Sequence, residues 1–155
     1  MTIYAENKKA YFNYEILEKF EGGLVLTGNE VKAIRNKQVR LIDSYLIFKK
    51  GELFLINAKI SAYQKNNKFL LDESRDRKIL LNKKELIYLE NSLKQKGLTL
   101  VPLKVYNKNK VIKLEFALAK GKKKFEKKRQ ILTREINREI NRQLKNQFGD
   151  DRNRP

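Results

Sequence analysis

The sequence contains no cysteine, no histidine and no tryptophan among its 155 residues. Without cysteine there is no disulfide, no thiolate nucleophile and no cysteine-ligated zinc. Without histidine the chain lacks the commonest general base, the Ser-His-Asp triad and the commonest metal ligand. Glycine-rich phosphate loops of the GxxxxGKS/T and GxGxxG types are also absent. These absences indicate a protein that is not an enzyme and that uses no metal and no cofactor.

Long apolar runs are missing as well. No run approaches the roughly 20 residues that a transmembrane helix needs, and residues 1–12 lack the apolar region of a secretory signal. Only 7 glycines and 2 prolines are present, which argues against a flexible low-complexity chain. The apolar content of 41% supports a folded body. We therefore expect a soluble, cytoplasmic protein.

Positive charge is what the chain has in excess. It carries 36 Lys and Arg against 18 Asp and Glu, a net charge of +18. Such a charge favours a polyanionic partner. Nucleic acid is the leading candidate and an anionic membrane surface is the other, and charge alone does not distinguish RNA from DNA.

The first 119 residues have the pattern of short strands separated by turns. Alternating or short apolar runs predict six strands, at residues 12–20, 24–26, 45–49, 52–57, 98–106 and 111–118. Lys50-Gly51 and residues 107–110 are interpreted as hairpin turns. Gly22-Gly23 is interpreted as a turn, residues 58–63 as strand or loop, and residues 64–78 as a long loop. Pro102 predicts a strand edge or a bulge.

Two short helices are predicted between these strands. Thr27 and Glu30 form a capping-box pattern that opens a helix reaching about Arg35. Asn82 caps a second helix, which ends before Gly97. The fold class is therefore mainly β: an OB-like closed antiparallel β-barrel of about six strands with small flanking helices, formed by residues 1–119.

Residues 120–155 form a second domain, a basic C-terminal tail. The tail holds 13 Lys and Arg against five Asp and Glu. Its apolar residues recur every four positions, at Leu132, Ile136, Ile140, Leu144 and Phe148, which predicts an amphipathic helix. One interpretation is a helix packed on its own barrel. The favoured one is a tail that is disordered when free and helical when bound, because seven cations in residues 120–129 repel one another.

Seven segments, in order along the chain, resemble the small protein B family, the SsrA-binding proteins that bind transfer-messenger RNA in bacterial trans-translation. These segments are Asn7-Lys8-Lys9-Ala10, residues 20–32, Asp43-Ser44-Tyr45, Gly51-Glu52, residues 75–81, residues 97–103 and residues 119–123. The resemblance covers roughly residues 7–130. It implies an OB-like barrel and a non-enzymatic RNA-binding adaptor.

The resemblance also implies the partners. The body would bind the tRNA-like domain of transfer-messenger RNA and deliver it to the A site of stalled ribosomes. The tail would become helical in the empty mRNA channel, against small-subunit ribosomal RNA near the decoding centre, and permit ribosome rescue and peptide tagging. A monomer without membrane contact is expected.

The resemblance carries over to particular residues. Asn7 and Glu21 match positions implicated in binding the tRNA-like domain, and neighbouring candidates for phosphate contacts are Lys8, Lys32, Arg35, Arg75, Arg77 and Lys78. The ribosome-binding part of the tail would comprise Lys120, Gly121, Lys122, Lys123, Glu126, Lys127, Lys128 and Arg129. Glu126-Lys127-Lys128 stands where the family has Asp-Lys-Arg, so the charges agree but the side-chain lengths and the guanidinium fork do not.

Two other classes of protein share this composition. A ribosomal or ribosome-assembly structural protein would bury its basic arm permanently in ribosomal RNA, but the seven segments do not favour it. A peripheral membrane binder ranks last, since tryptophan is absent and Gln143 and Gln147 interrupt the apolar face of the tail.

Overall fold

The computed structural model describes residues 2–61, 74–122 and 124–148. The chain divides into two compact units, residues 1–121 and residues 122–155. Within the described residues, the first unit contains two antiparallel sheets and three short helices, and the second contains one helix.

In the part of the chain that the structure describes, nine strands and four helices follow one another. They are β1 (Thr2–Glu6), α1 (Lys8–Asn13), β2 (Tyr14–Leu24), α2 (Gly28–Arg35), β3 (Val39–Arg40), β4 (Tyr45–Lys49), β5 (Glu52–Ile56), β6 (Lys59–Ile60), β7 (Arg77–Leu80), α3 (Lys83–Ser92), β8 (Leu98–Lys108), β9 (Val111–Gly121) and α4 (Lys124–Phe148). Seven strands form one antiparallel sheet in the order β1-β8-β9-β2-β7-β5-β4, while β3 pairs with β6.

The prediction of a closed barrel is wrong in one respect, because the seven-stranded sheet is open. It curls until Cα atoms of β4 lie within 8 Å of β8, yet the two strands share no hydrogen-bonded ladder. The reason is that β8 has no free edge: β9 occupies one side and β1, a strand that the sequence did not predict, occupies the other. The coarser prediction, a mainly β antiparallel fold with small helices, is confirmed.

The two faces of the sheet bury different clusters. The main core contains Leu53, Ile79, Leu114 and Phe116, each at most 1% exposed, with residues of α2 and α3 packed against them. Because side chains alternate between faces, the other face of β8 and β9 carries a smaller cluster of Ala10, Val101, Leu103, Ala117 and Ala119 beneath α1. Helix α1 covers only part of this second face.

Glycines 22 and 23 do not form the predicted turn. Both lie inside β2, which runs without interruption from Tyr14 to Leu24. A Cβ atom on Gly22 would approach Cγ2 of Ile79 to 2.5 Å, so glycine is needed for the close contact between β2 and β7. The strand predicted at 12–20 also begins later, because residues 8–13 form α1.

The predicted hairpin turns and helix starts are confirmed. Lys50 and Gly51 between β4 and β5, and Asn109 and Lys110 between β8 and β9, have the positive φ angles of type I′ turns. The Thr27 hydroxyl accepts from the Glu30 N–H at 3.2 Å, and a carboxylate oxygen of Glu30 accepts from the Thr27 N–H at 2.9 Å.

The second capping residue behaves as predicted too, since Asn82 Oδ1 accepts from the N–H of Glu85 at 2.8 Å. The register of β8 shifts between Pro102 and Lys104, which confirms a bulge, although β8 is not an edge strand. Residues 64–73 of the loop predicted at 64–78 lie outside the described residues, and Arg77 and Lys78 belong to β7.

The second unit contains α4. The apolar side chains of its stripe are exposed by roughly half, at Leu132, Ile136, Ile140 and Leu144. That the tail folds only upon binding stays a prediction. Among the helices of the described residues, none has the length and apolarity required to cross a membrane.

Candidate nucleic-acid interface

Asn7 links α1 to the bulge of β8. Its backbone N–H donates to the Leu103 carbonyl at 2.7 Å and its side-chain Nδ2 donates to the Pro102 carbonyl at 3.0 Å, and the residue is only 9% exposed. Lys8 follows at the exposed start of α1. Asn7 therefore anchors the helix that covers part of the second sheet face.

Glu21 lies on the uncovered part of that face. Its carboxylate accepts from the Tyr106 hydroxyl, and the ammonium groups of Lys108 and Lys113 each lie 3.3 Å from Oε1. Glu115 stands opposite Glu21 in the register of β2 and β9.

Glu115 has cationic partners of its own. The Lys104 ammonium lies 3.0 Å and the Lys19 ammonium 3.7 Å from its carboxylate. The strand register continues from Glu115 through Lys104 to Glu6, the residue before Asn7. Glu21 therefore belongs to a polar row that crosses four strands and ends at Glu6, the residue next to Asn7.

An open groove of about 520 Å³ is lined by Glu21, Glu115, Tyr106, Lys19, Lys104 and Lys108. The hydrogen bond from Tyr106 is the largest influence on the Glu21 carboxyl, and with Lys113 and Lys108 it holds the pKa of Glu21 below its usual range. Burial, together with the bond to Glu21, raises the pKa of Tyr106, so its hydroxyl remains a donor at neutral pH. The groove thus offers an ionised acceptor surrounded by ammonium groups, an arrangement suited to base N–H donors, 2′-hydroxyls and phosphates.

An apolar residue extends the same face. Gly23 pairs with Lys113 on one side and with Leu80 on the other, and Leu80 is 55% exposed. Because Gly23 has no side chain, nothing projects between Lys113 and Leu80 in this row. The row through Lys113 and Gly23 therefore ends in an exposed apolar side chain.

A second cluster is centred on Glu30 at the start of α2. Arg75 donates to Oε1 at 2.5 Å, whereas Arg77 donates to Oε2 through Nε at 2.7 Å and through a terminal nitrogen at 2.6 Å. Arg77 is 0% and Glu30 is 1% exposed. Burial opposes ionisation of Glu30, but the bonds from Arg75, the Thr27 backbone and Arg77 together outweigh it and lower its pKa.

A sequence model of the family described as SmpB protein matches residues 4–146. The chain belongs to the SmpB family. The resemblance inferred from seven short segments is thereby confirmed.

Relatives of this SmpB-family chain include two SsrA-binding proteins. The one from Sulfurihydrogenibium sp. is 48% identical over 134 residues, which cover 86% of this chain and 88% of the relative. The one from Mycoplasma mycoides subsp. mycoides is 45% identical over 134 residues, which cover 86% of this chain and 90% of the relative.

A solved structure described as "tmRNA-SmpB: a journey to the center of the bacterial ribosome" contains a similar chain. The two folds agree with a TM-score of 0.65 at 45% sequence identity, over 77% of this chain and 85% of the other. The similarity therefore extends to the fold of most of the SmpB-family chain.

The structure corrects the interpretation of one predicted site residue. Arg77 was expected to contact RNA phosphates, but its side chain is buried in the pair with Glu30, and its Nη1 donates to the Ala58 carbonyl at 2.7 Å. A buried, multiply bonded guanidinium supports the fold of this SmpB-family chain and is out of reach of a phosphate.

The other predicted contacts remain accessible. Lys32 and Arg35 are exposed on α2, and Lys78 is half-buried on β7 with its ammonium 3.0 Å from Glu52. Arg75 keeps 39% of its side chain exposed. Glu6, the neighbour of Asn7, and Glu21 lie at opposite ends of the row that crosses β1, β8, β9 and β2, and Lys78 on β7 is next to β2 through the pairing of these two strands.

The predicted tail residues fall at the end of β9 and the start of α4. Lys120 and Gly121 are still part of β9, paired with Glu15 and Tyr14, and Lys122 follows the strand. Lys123 lies outside the described residues. Lys128 is exposed on α4, while the side chains of Glu126, Lys127 and Arg129 lie outside what the structure describes.

Sequence reasoning missed four residues that line or extend the groove: Lys108, Lys113, Tyr106 and Leu80. The alternation in residues 112–118 did indicate that Lys113 and Glu115 share a face opposite the core. It could not show that Glu21 faces them, because register between strands almost 100 residues apart is not readable from local pattern.

Proposed function

We propose that this chain is the RNA-binding adaptor of trans-translation: it binds the tRNA-like domain of transfer-messenger RNA and delivers it to the A site of stalled ribosomes. The observation that carries the proposal is the polar row from Glu21 to Glu6, the neighbour of Asn7, together with the open groove and its several ammonium groups. Membership of the SmpB family supports it, as do relatives named SsrA-binding proteins.

The body acts by non-covalent recognition. Lys104, Lys108 and Lys113 attract the RNA backbone, and the ionised Glu21 accepts hydrogen bonds from base N–H groups or 2′-hydroxyls. Tyr106 keeps Glu21 oriented toward the groove. No bond is made or broken, so the protein functions as an adaptor and not as an enzyme.

The tail acts on the ribosome. Helix α4 exposes an apolar stripe flanked by arginines and lysines, a pattern that fits a groove walled by RNA and protein. The tail occupies the empty mRNA channel near the decoding centre, against small-subunit ribosomal RNA, and so permits rescue and peptide tagging. The protein works in the cytoplasm as a monomer.

A competition binding assay tests the proposal. The full chain should bind a transfer-messenger RNA fragment that contains the tRNA-like domain more tightly than an elongator tRNA or a ribosomal RNA fragment of equal length. Its affinity should fall by about 10³–10⁵ between 50 and 200 mM salt if roughly 6–10 phosphates are contacted. Equal affinity for all three RNAs, or binding to ribosomes that survives a salt wash, would favour a ribosomal structural protein instead.

A further inference from the structure

Glu30 is a buried acid with more cationic partners than a helix cap requires. As the third residue of α2, it closes the capping box by accepting from the Thr27 N–H through Oε1 at 2.9 Å. The same oxygen accepts from Arg75, and Oε2 accepts twice from Arg77. The Glu30 carboxylate on α2 therefore contacts both Arg77, the first residue of β7, and Arg75, which lies two residues before it.

The two arginines differ in what they can do. Arg77 is 0% exposed and also donates to the Ala58 carbonyl, so its guanidinium is buried and inaccessible to RNA. Arg75 bonds Glu30 and, at 3.4 Å, the Val25 carbonyl, both through Nη2, while 39% of its side chain remains exposed. A guanidinium held at one nitrogen still has further N–H donors in a fixed plane for a second acceptor.

A long side chain that is already fixed in the free protein binds a ligand more favourably than a mobile one. A free arginine loses rotamer entropy when it contacts a phosphate, and an arginine already fixed by a buried carboxylate loses less. The Arg75 guanidinium is thus fixed at the start of α2 while part of its side chain stays exposed to a ligand.

We propose that Glu30 is a positioning residue for RNA binding: it holds the Arg75 guanidinium in place for an RNA phosphate. This inference rests on the proposed function for the identity of the ligand. Arg75 touches the phosphate, whereas Glu30 acts only through Arg75. The Arg77 contacts serve to keep the Glu30 carboxylate in its buried position.

The substitution Glu30→Gln tests the inference through the direction of the change in RNA affinity. A positioning role predicts weaker binding, whereas the change in net charge alone predicts tighter binding. Glutamine also closes capping boxes, so α2 keeps its start. The substitution makes the protein more positive by one charge, which by long-range attraction alone strengthens RNA binding. If Glu30 positions Arg75, Glu30→Gln instead weakens binding to the tRNA-like domain by roughly tenfold, the loss of one charge-assisted hydrogen bond.

A second variant guards against loss of the fold, since Glu30→Gln leaves Arg77 buried without its anion. In Glu30→Gln/Arg77→Gln both buried charges are removed, a change that proteins often tolerate. Arg75 still loses its anchor, so the double variant should also bind RNA roughly tenfold more weakly. Circular dichroism and thermal unfolding establish that each variant is folded before RNA binding is measured.

Two comparisons complete the experiment. Glu85→Gln on α3 is the matched control, because Glu85 is likewise the third residue of its helix and accepts from its capping residue, but contacts no arginine in the described part of the chain. It should bind RNA as well as the wild type or better. In the wild-type background, Arg75→Gln should weaken RNA binding and reduce the slope of log affinity against log salt by roughly 0.7–0.9. In the double-variant background, it should cause little further loss of RNA affinity.

Each outcome bears on the inference. Weaker binding in both Glu30 variants, with Arg75→Gln silent in the double-variant background, supports it. Binding that is unchanged or tighter in the folded variants overturns it, and so does an Arg75→Gln effect of equal size in both backgrounds. If the wild type does not prefer the tRNA-like domain over the other RNAs, the proposed function fails, and the Glu30 inference is then lost with its ligand.

Discussion

At the scale of single residues, the same side-chain types have different roles in different environments. Arg75 and Arg77 are separated by one residue, yet one is exposed and the other is buried. Glu21 and Glu30 are both ionised acceptors, but Glu21 faces an open groove and Glu30 faces two arginines. Sequence alone assigned both arginines to phosphate contact, because side-chain burial depends on the packing of distant strands.

Glu21 yields the first prediction. Glu21→Gln should weaken binding to the tRNA-like domain by roughly tenfold although it adds positive charge, because a carboxylate held by Tyr106 and two lysines accepts donors that an amide oxygen accepts less strongly. Equilibrium binding at one fixed salt concentration measures the effect. Glu90→Gln, at an exposed position of α3, is the control and should leave affinity unchanged or slightly higher.

Glu30 yields a prediction on pH. Its pKa in the folded protein lies below the ordinary value of 4.5, so the unfolded chain takes up the proton first as pH falls. The stability from ionised Glu30 is therefore complete above about pH 4.5 and is lost as pH falls through the lower folded pKa. At pH 7, Glu30→Gln should be less stable than the wild type by about 3 kcal/mol, since Arg77 stays buried.

Urea unfolding at a series of pH values measures this difference. The gap between the wild type and Glu30→Gln should narrow as the pH falls from 5 to 3, because protonated Glu30 and glutamine are similar. A gap that stays constant over this range would show that the charge of Glu30 does not stabilise the fold.

At the scale of elements, local sequence predicts helix starts and tight turns, whereas strand pairing can be read only from the tertiary structure. The capping residues Thr27 and Asn82 and both hairpin turns follow from interactions within a few residues. The interpretation of Gly22-Gly23 as a turn failed, because the reason for glycine there is Ile79 on a strand more than 50 residues away.

Gly22→Ala tests that reason. The added Cβ would lie 2.5 Å from Ile79 Cγ2 and 3.1 Å from the Leu80 carbonyl oxygen, so β7 or β2 must move. We expect a loss of about 1–3 kcal/mol in the free energy of unfolding. Gly23→Ala is the matched control, since its Cβ would meet only Leu80 atoms at 3.8 Å and should cost less. Equal losses in the two variants would contradict this account of Gly22.

At the scale of the whole molecule, the proposed function assigns a different task to each of the two units. Residues 120–155 carry 13 Lys and Arg against five Asp and Glu, so they supply +8 of the net +18. The division placed at residues 119 and 120 by composition stays a prediction as a functional boundary. The structure does extend β9 to Gly121, which indicates where the chain can be shortened without damaging the sheet.

Truncation after Gly121 tests the division of labour. The shortened protein keeps every strand of the sheet and should bind the tRNA-like domain within a few-fold of the full chain, with some loss from the removed charge. It should not support peptide tagging on stalled ribosomes. A parallel loss of RNA binding and tagging would contradict the division. A full-length chain that carries Ile136→Asp and Ile140→Asp tests the role of the apolar stripe without changing the length of the tail.

The sequence by itself determined the features that depend on composition or on neighbours along the chain. These are the charge, the lack of cysteine and histidine, the helix caps, the hairpin turns and the family. The tertiary structure alone decided that the sheet stays open, that Arg77 is buried and that Glu21 meets Tyr106, Lys108 and Lys113. The physical reason is that register and burial arise from contacts between strands far apart in the sequence, which no local pattern specifies.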